Sequence, residues 1–224
     1  MTRKNMKTNQ TIFLFLVLLV AGFLTFRISL SYFSDSGNSS NNVLSASAEF
    51  PTATPTTAPQ IANHVVISEV QINGANANQD FVELYNPTNS SVDLNGWQLR
   101  MKNSAGTDES LVLIGSGESI PAHGFFLWAS NKSSGFDTSV GADVTNNNTL
   151  SENNSIELED ASDGTVDQVG WGNVAGHYVE GTPYSTSPGA SASIERKAYT
   201  SSTPSSMAGG SDDLKGNGFD AGDN

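Results

Sequence analysis

The chain has 224 residues, enough for one domain of ordinary size with flanking segments. It carries 23 acidic and 10 basic residues, and every acidic residue but only six basic ones lie after residue 31. Such an acidic surface repels a phosphate backbone, which argues against nucleic acid as a partner and favours cations or basic proteins. With no cysteine in the sequence, disulfides, thiolate metal sites, a cysteine nucleophile and a cysteine-linked lipid are excluded.

Residues 1–31 begin with basic side chains at positions 3, 4 and 7 and continue into the uncharged apolar run Ile12–Phe26. A membrane span needs roughly 20 apolar residues, and this predicted hydrophobic helix is shorter. The pattern is typical of an export signal cleaved before Tyr32, with a membrane anchor extended through Leu30 as the alternative. Either one predicts an extracellular or cell-surface protein that contacts the membrane only through Ile12–Phe26.

Residues 32–61 form a polar, Thr/Pro-rich segment that we expect to be a disordered linker. Proline fixes φ and removes a donor, so Phe50–Gln60 predicts an extended, semi-rigid spacer. The stretch Ser31–Ser47, SYFSDSGNSSNNVLSAS, resembles the cleavage region of exported biofilm-matrix fibre proteins. A polar spacer behind any signal peptide explains it equally well.

From residue 62 onward, short apolar runs alternate with Gly, Asn, Asp, Ser and Pro. Asn95-Gly96 and Asp163-Gly164 are turn signals, and the second of them predicts a tight hairpin. Nothing between the runs shows a helical period, so the pattern indicates an all-β antiparallel sandwich or barrel. The predicted strands are Val65–Ile72, Phe81–Tyr85, Trp97–Lys102, Leu111–Ile114, Phe125–Ala129, Ile156–Glu159, Val166–Val169 and Ser193–Arg196.

Five blocks follow one another in an order that is similar to the lamin tail domain family: VVISEVQING, DFVELYNPTNSSVDLNGWQL, IPAHGFFLWA, SIELEDASDGTVDQVGW and SIERKA. The closing GNGFDAGDN resembles the tail that follows the domain in bacterial members. The resemblance implies an immunoglobulin-like antiparallel β-sandwich over residues 62–200 and a bacterial exported protein. We expect residues 201–224 to be a flexible acidic tail.

No catalytic residue is predicted. His64, His123 and His177 are isolated, and no hydrolase motif accompanies them. Five acidic residues are candidates for carboxylate catalysis, but solvation or pairing with Arg100, Lys102 and Arg196 explains them as well. These acidic residues are Glu69, Glu83, Asp160, Asp163 and Asp167.

Two weaker binding hypotheses come from the C-terminal third. Trp171, between two glycines, is expected to be the most exposed of the three tryptophans, and Trp171 and Tyr178 in the loop that follows are the candidate ligand contacts. The alternative is that they pack in the core or at its rim. No cofactor is expected, although oxygen ligands with interleaved glycines in the tail suit calcium without matching an EF-hand loop. The candidate calcium ligands are Asp212, Asp213, Asn217, Asp220 and Asp223.

The leading hypothesis is a non-enzymatic exported binding or structural module, displayed at the cell surface or in the extracellular matrix. Its partner would be an unidentified extracellular protein or polysaccharide. The alternative is an accessory domain that works with a separate secreted nuclease or other hydrolase. A chromatin-binding role conflicts with the charge, the export signal and the missing coiled coil.

Overall fold

The computed structural model describes residues 60–136, 140–173 and 178–221, all within the compact unit Pro55–Asn224. The predicted export segment, and the predicted linker before residue 60, lie outside the described residues. Among the residues that are described, no helix is long and apolar enough to cross a bilayer.

The described residues form eleven strands and one short helix. They are β1 (Val66–Gln71), β2 (Phe81–Tyr85), β3 (Val92–Asp93), β4 (Gln98–Lys102), β5 (Asp108–Leu113), β6 (Ser119–Ile120), β7 (Phe125–Ser130), β8 (Val144–Asn146), β9 (Ser155–Glu159), β10 (Thr165–Gly170), β11 (Ser193–Glu195) and α1 (Pro204–Met207).

The strands build two main sheets. A five-stranded sheet has the order β11-β1-β2-β7-β8, and a four-stranded sheet has the order β10-β9-β4-β5. One apolar core takes side chains from both sheets, and its largest fully buried members include Trp128, Phe126, Leu99 and Ile156. The predicted all-β, immunoglobulin-like sandwich is confirmed.

Alternation along β4 shows why the sequence folds this way. Leu99 and Met101 are buried at 0% and 7% exposure, whereas Gln98, Arg100 and Lys102 on the other face stay partly exposed. Successive strand residues point to opposite sides, so a period of two places one face in the core.

The predicted Asp163-Gly164 hairpin joins β9 to β10. Asp163 adopts a left-handed conformation with φ 60°, which aspartate tolerates better than most residues. The Asp160 carboxylate accepts hydrogen bonds from the backbone N–H groups of Ser162 (2.8 Å) and Gly164 (3.0 Å). These two bonds hold the turn closed.

The strands differ from the prediction in two respects. The sequence did not predict the short β3, β6 and β8, and β8 pairs with β7 in parallel rather than antiparallel. Glu157 on β9 alternates with the buried Ile156 and Leu158 and is itself only 5% exposed. Its carboxylate accepts hydrogen bonds from Thr165 Oγ1 (2.5 Å) and Gln168 Nε2 (2.8 Å), which replace the lost water.

The Asn-rich connection around β8 closes one edge of the sandwich. The Nδ2 atoms of Asn146 and Asn148 donate to the backbone oxygen of Leu111, at 2.6 and 2.7 Å, and Asn148 also reaches that of Ser110 at 3.0 Å. These acceptors lie on β5, the last strand of the four-stranded sheet. The side-chain amides thus satisfy a strand edge and tie the two sheets together.

Residues 201–221, which were predicted to be a flexible acidic tail, instead pack on the sandwich. Thr203 caps α1, and the backbone then returns to the start of the domain. Ala62 N donates to Gly218 O (2.8 Å), and Asp220 N donates to Gln60 O (2.9 Å). We call residues 208–221 the C-terminal strap, because they join the entry and the exit of the domain.

Candidate functional site

The structure contradicts the predicted exposure of Trp171 and agrees with the alternative, packing in the core. Its side chain is fully buried rather than exposed, because the backbone continues β10 and bridges to Tyr184. The indole belongs to the main core, and its Nε1 donates to Ser151 O at 2.9 Å. A buried indole with a satisfied N–H stabilises the sandwich and offers no surface to a ligand.

Tyr178 lies on the outer face of the four-stranded sheet, half-buried and firmly held. Its hydroxyl donates to Asp108 Oδ2 at 2.6 Å, and Lys102 Nζ lies 4.2 Å from the ring centroid. Burial and the hydrogen bond to Asp108 raise the pKa of Tyr178 to about 12. Burial opposes ionisation of Asp108, but hydrogen bonds from Tyr178 and Arg100 outweigh it and lower the pKa of this carboxyl. The structure therefore engages Tyr178 in a local polar network and does not join it to Trp171 as a shared exposed platform.

The candidate calcium ligands are dispersed. Asp212 Oδ2 accepts from the hydroxyls of Ser202 (3.0 Å) and Ser206 (2.6 Å), and Asp213 Oδ1 accepts from Gly209 N at 2.9 Å. Asp220 faces basic side chains, as described below. Asp223 lies outside the described residues.

Asn217, in the C-terminal strap, hydrogen-bonds to polar groups of Glu195 and Arg196. Its Nδ2 donates to Glu195 Oε1 (2.7 Å) and to the backbone oxygen of Arg196 (3.0 Å). Within the described ranges, no three His, Asp or Glu side chains are arranged to hold a metal ion.

A buried ion pair joins the two sheets to the strap. Asp167 on β10 is fully buried, and both of its carboxylate oxygens accept from Arg196 Nη2, at 3.0 and 2.8 Å. The same carboxylate accepts from the backbone N–H groups of Ile67 (2.6 Å) and Gln168 (2.9 Å). Burial raises the pKa of Asp167 to about 6, although Arg196 and the two backbone donors act against it.

Arg196 also holds the strap directly. Its Nε donates to Ile67 O (2.9 Å), its Nη1 donates to Phe219 O (3.1 Å), and Nη1 lies 3.9 Å from Asp220 Oδ1. Asp220 Oδ2 is in turn 3.5 Å from Nε2 of His64. Arg196 is therefore the point where β1, β10, β11 and the strap converge.

The histidines are placed at turns and entries. His123 has φ 55° in the turn before β7, and its Nε2 lies 3.0 Å from Asn89 Oδ1. His64 precedes β1. His177 lies outside the described residues.

Three carboxylates stand in register across neighbouring strands of the five-stranded sheet. Glu69 on β1 is directly opposite Glu195 on β11 and directly opposite Glu83 on β2. Burial raises the pKa of Glu69, which the Ser193 hydrogen bond partly offsets and Glu195 increases. Burial also raises the pKa of Glu83, despite the hydrogen bond from Ser68 Oγ at 2.7 Å. We call these three residues the glutamate row.

An apolar groove lies beside the row, where β1 and β11 face β10. Its volume is about 110 Å³. Tyr184, with 52% of its surface exposed, lies at the groove. We call it the β11 groove; its lining is Ile67, Ser68, Glu69, Val70, Val169, Tyr184, Ile194, Glu195 and Arg196.

The sequence pattern missed both features. Glu69 and Glu83 were placed on strands, but their pairing depends on a bulge between Ile67 and Glu69 that shifts the register by one residue. The SIERKA block placed Glu195 on a strand, but it did not indicate which strand pairs with that one. The register of the hairpin between the first two strands could have shown that Glu69 and Glu83 are opposite each other. The bulge changes this register, and the sequence does not reveal it.

The comparison with family models places the fold in a known group. The model described as Lamin Tail Domain matches residues 58–173, just over half of the chain. Among curated proteins, no sequence matches the chain.

Proposed function

This chain belongs to the lamin tail domain family, a family of non-catalytic immunoglobulin-like domains, and from that premise we propose that it is a non-enzymatic binding module. We place it outside the cytoplasm, at the cell surface or in the extracellular matrix. The observation that carries the proposal is the β11 groove with the glutamate row beside it. The groove opens at the edge of the five-stranded sheet onto aliphatic side chains at the margin of the core, and the row runs from that edge inward to β2.

The remaining polar groups support a binding role over catalysis. Three of the candidate acids and histidines are held in structural contacts: Asp160 closes a turn, Asp167 pairs with Arg196, and His123 contacts Asn89. Hydrolysis needs a nucleophile, a base and an oxyanion site in register with one another. Groups fixed in turns and ion pairs are poorly placed to move protons for a substrate.

Export is supported by the sequence of the first 60 residues. A basic start, a short apolar run and a Thr/Pro-rich linker together suit a domain presented beyond a membrane. The linker joins the domain at Gln60, whose backbone oxygen accepts from Asp220 N. The strap therefore contacts the residues at which the linker enters the domain.

The test is fractionation of a bacterial host that expresses the full chain, followed by intact-mass measurement. We expect the protein outside the cytoplasm, starting at Tyr32 if it is released or with its N-terminus retained if it is anchored. Confinement to the cytosol would overturn the location. Turnover of nucleic acid, peptide or polysaccharide substrates by the purified chain would overturn the non-enzymatic role, whereas co-purification with a separate hydrolase would favour the accessory role.

A further inference from the structure

We propose that the β11 groove and the glutamate row bind an extended basic segment of a partner protein, which adds a strand to β11. This inference rests on the proposed function as a binding module and names the chemistry of its partner. The expected segment has an aliphatic residue between two basic residues.

The groove supplies the aliphatic position. An apolar cavity of roughly 150 Å³ holds a benzene molecule, so a groove of about 110 Å³ has room for a single aliphatic side chain. Ile67, Val70 and Val169 line it with aliphatic carbon, and the half-exposed ring of Tyr184 offers further apolar area. Exposed tyrosines beside apolar pockets are common anchors at interfaces.

The edge of the sheet supplies the main-chain contacts. β11 ends the strand order of its sheet, and no strand among the described residues pairs with its outer side. An edge strand presents N–H and C=O groups that a second extended chain can satisfy. β5, at an edge of the other sheet, is instead capped by Asn146 and Asn148. At the end of β11 the strap contacts the residues that follow the strand, with Phe219 N donating to Lys197 O at 2.9 Å and Asn217 Nδ2 donating to Arg196 O at 3.0 Å, so the proposed docking edge is Ser193–Glu195 itself.

The glutamate row supplies the charge. Like charges directly opposite each other destabilise a sheet, so this arrangement costs stability in the free protein. In the part of the chain that the structure describes, the ion pairs involve none of the three glutamates. Their hydrogen-bond partners include the neutral donors Ser68 and Asn217. A lysine or arginine from outside would relieve the repulsion.

The same charge argues against a second copy of this chain as the occupant. A second copy would bring its own Glu195 to the shared edge, and acidic edge residues are a known device against self-pairing. The chain after residue 31 carries 23 acidic and six basic residues, which also favours a partner of opposite charge.

The pleat of the sheet sets the order of residues in the partner. Ile194 of β11 faces the groove, whereas Ser193 and Glu195 face the other side, where the row stands. A strand added to β11 follows the same alternation. Its aliphatic residue would enter the groove beside Ile194. One neighbouring basic residue would lie opposite Glu195, and the other would lie opposite Ser193, on the face of the sheet that carries the row.

The test uses two synthetic peptides of equal composition and the full chain in titration calorimetry. One peptide carries Lys-Ile-Arg in a neutral background, and the other carries the scrambled order Lys-Arg-Ile. We expect only the first to bind with an affinity in the micromolar range, weakened by salt. Equal binding of the two peptides, or no binding of the first at millimolar concentration, would overturn the proposal.

Matched variants locate the binding. Glu195→Lys should weaken the Lys-Ile-Arg peptide about tenfold or more, because a like charge across an interface costs several kcal/mol. Tyr184→Ala should weaken it through the loss of apolar contact. Glu109→Lys changes the net charge equally but lies on β5, at the opposite edge of the other sheet, and should change the affinity less than about twofold. Circular dichroism and thermal melting check that each variant is folded.

The outcomes separate this inference from the proposed function. If Glu109→Lys weakens binding as much as Glu195→Lys does, the attraction is diffuse and the proposed site is wrong. If the exported chain binds its host's surface material equally well with and without Glu195→Lys, the module has a different recognition surface. If the chain is confined to the cytosol yet binds the Lys-Ile-Arg peptide, the location fails and the site stands.

Discussion

Replacing Arg196 with methionine tests how much Arg196 stabilises the contacts between the two sheets and the strap. Methionine retains much of the apolar stem but removes both bonds to Asp167, together with the donors to Ile67 O and Phe219 O. The Asp167 carboxylate would then remain fully buried with only two backbone donors.

The expected cost follows from burial. The Arg196 and Asp167 side chains are 10% and 0% exposed, so solvent cannot replace the lost partner. Breaking a buried ion pair costs about 3–5 kcal/mol, which for a domain of this size corresponds to a fall in Tm of roughly 6–20 °C. Loss of the bond to Phe219 should also loosen the strap.

Arg100→Met is the matched control. Arg100 pairs with Asp108, but these side chains are 27% and 42% exposed, and exposed pairs contribute less than about 1 kcal/mol. Urea denaturation of both variants at pH 7 gives the two free energies of unfolding. Equal losses below about 1 kcal/mol would refute the reasoning. Adding Asp167→Asn to Arg196→Met should recover part of the loss, because the amide keeps an acceptor for Ile67 N without a charge.

Three further outcomes are expected. The folded state binds a proton at Asp167 more readily than the unfolded chain does, because folding raises the pKa of this carboxyl from 3.8 to about 6. The contribution of Asp167 to the free energy of unfolding is therefore greatest below pH 4. It declines by up to about 3 kcal/mol as pH rises through 6. The pKa values of Glu69 and Glu83 are shifted in the same direction, so Tm should rise on acidification from pH 7 to 5, and a falling Tm would contradict this. Gly216→Ala should lower Tm more than Gly117→Ala does: both glycines have positive φ, but an added Cβ meets the Tyr85 ring only at Gly216. Millimolar calcium should give no saturable heat in calorimetry, because the described candidate ligands are dispersed.

The sequence pattern predicted the sandwich because its strands alternate cleanly. β4 is the clearest example, since one face of the strand is apolar and the other is polar. The pattern failed where a strand is too short to show an alternation. β8 has the sequence Val-Thr-Asn and is held by parallel pairing and by the amide of Asn146, neither of which leaves a periodic signal.

The candidate site was harder to predict, because it depends on tertiary contacts. Trp171 was expected to be exposed beside its glycines, but the bridge to Tyr184 extends the strand and directs the indole inward. The strap has the composition of a flexible tail, yet Gly216 allows close contact with Tyr85 and Gly218 O accepts from Ala62 N. Single-residue contacts of this kind depend on the fold around them and not on local propensity.

The family match covers only part of the proposed binding surface. The match ends at residue 173, whereas β11, Arg196 and the strap all follow it. The matched part supplies Glu69, Glu83 and the buried Asp167, and the later part supplies the glutamate and the arginine that face them. Since Asp167 is buried and paired with Arg196, the sandwich depends on the later segment for stability as well as for its groove. The proposed site therefore predicts that substitutions in β11 change the partner while the shared sandwich stays the same, provided that Arg196 is retained.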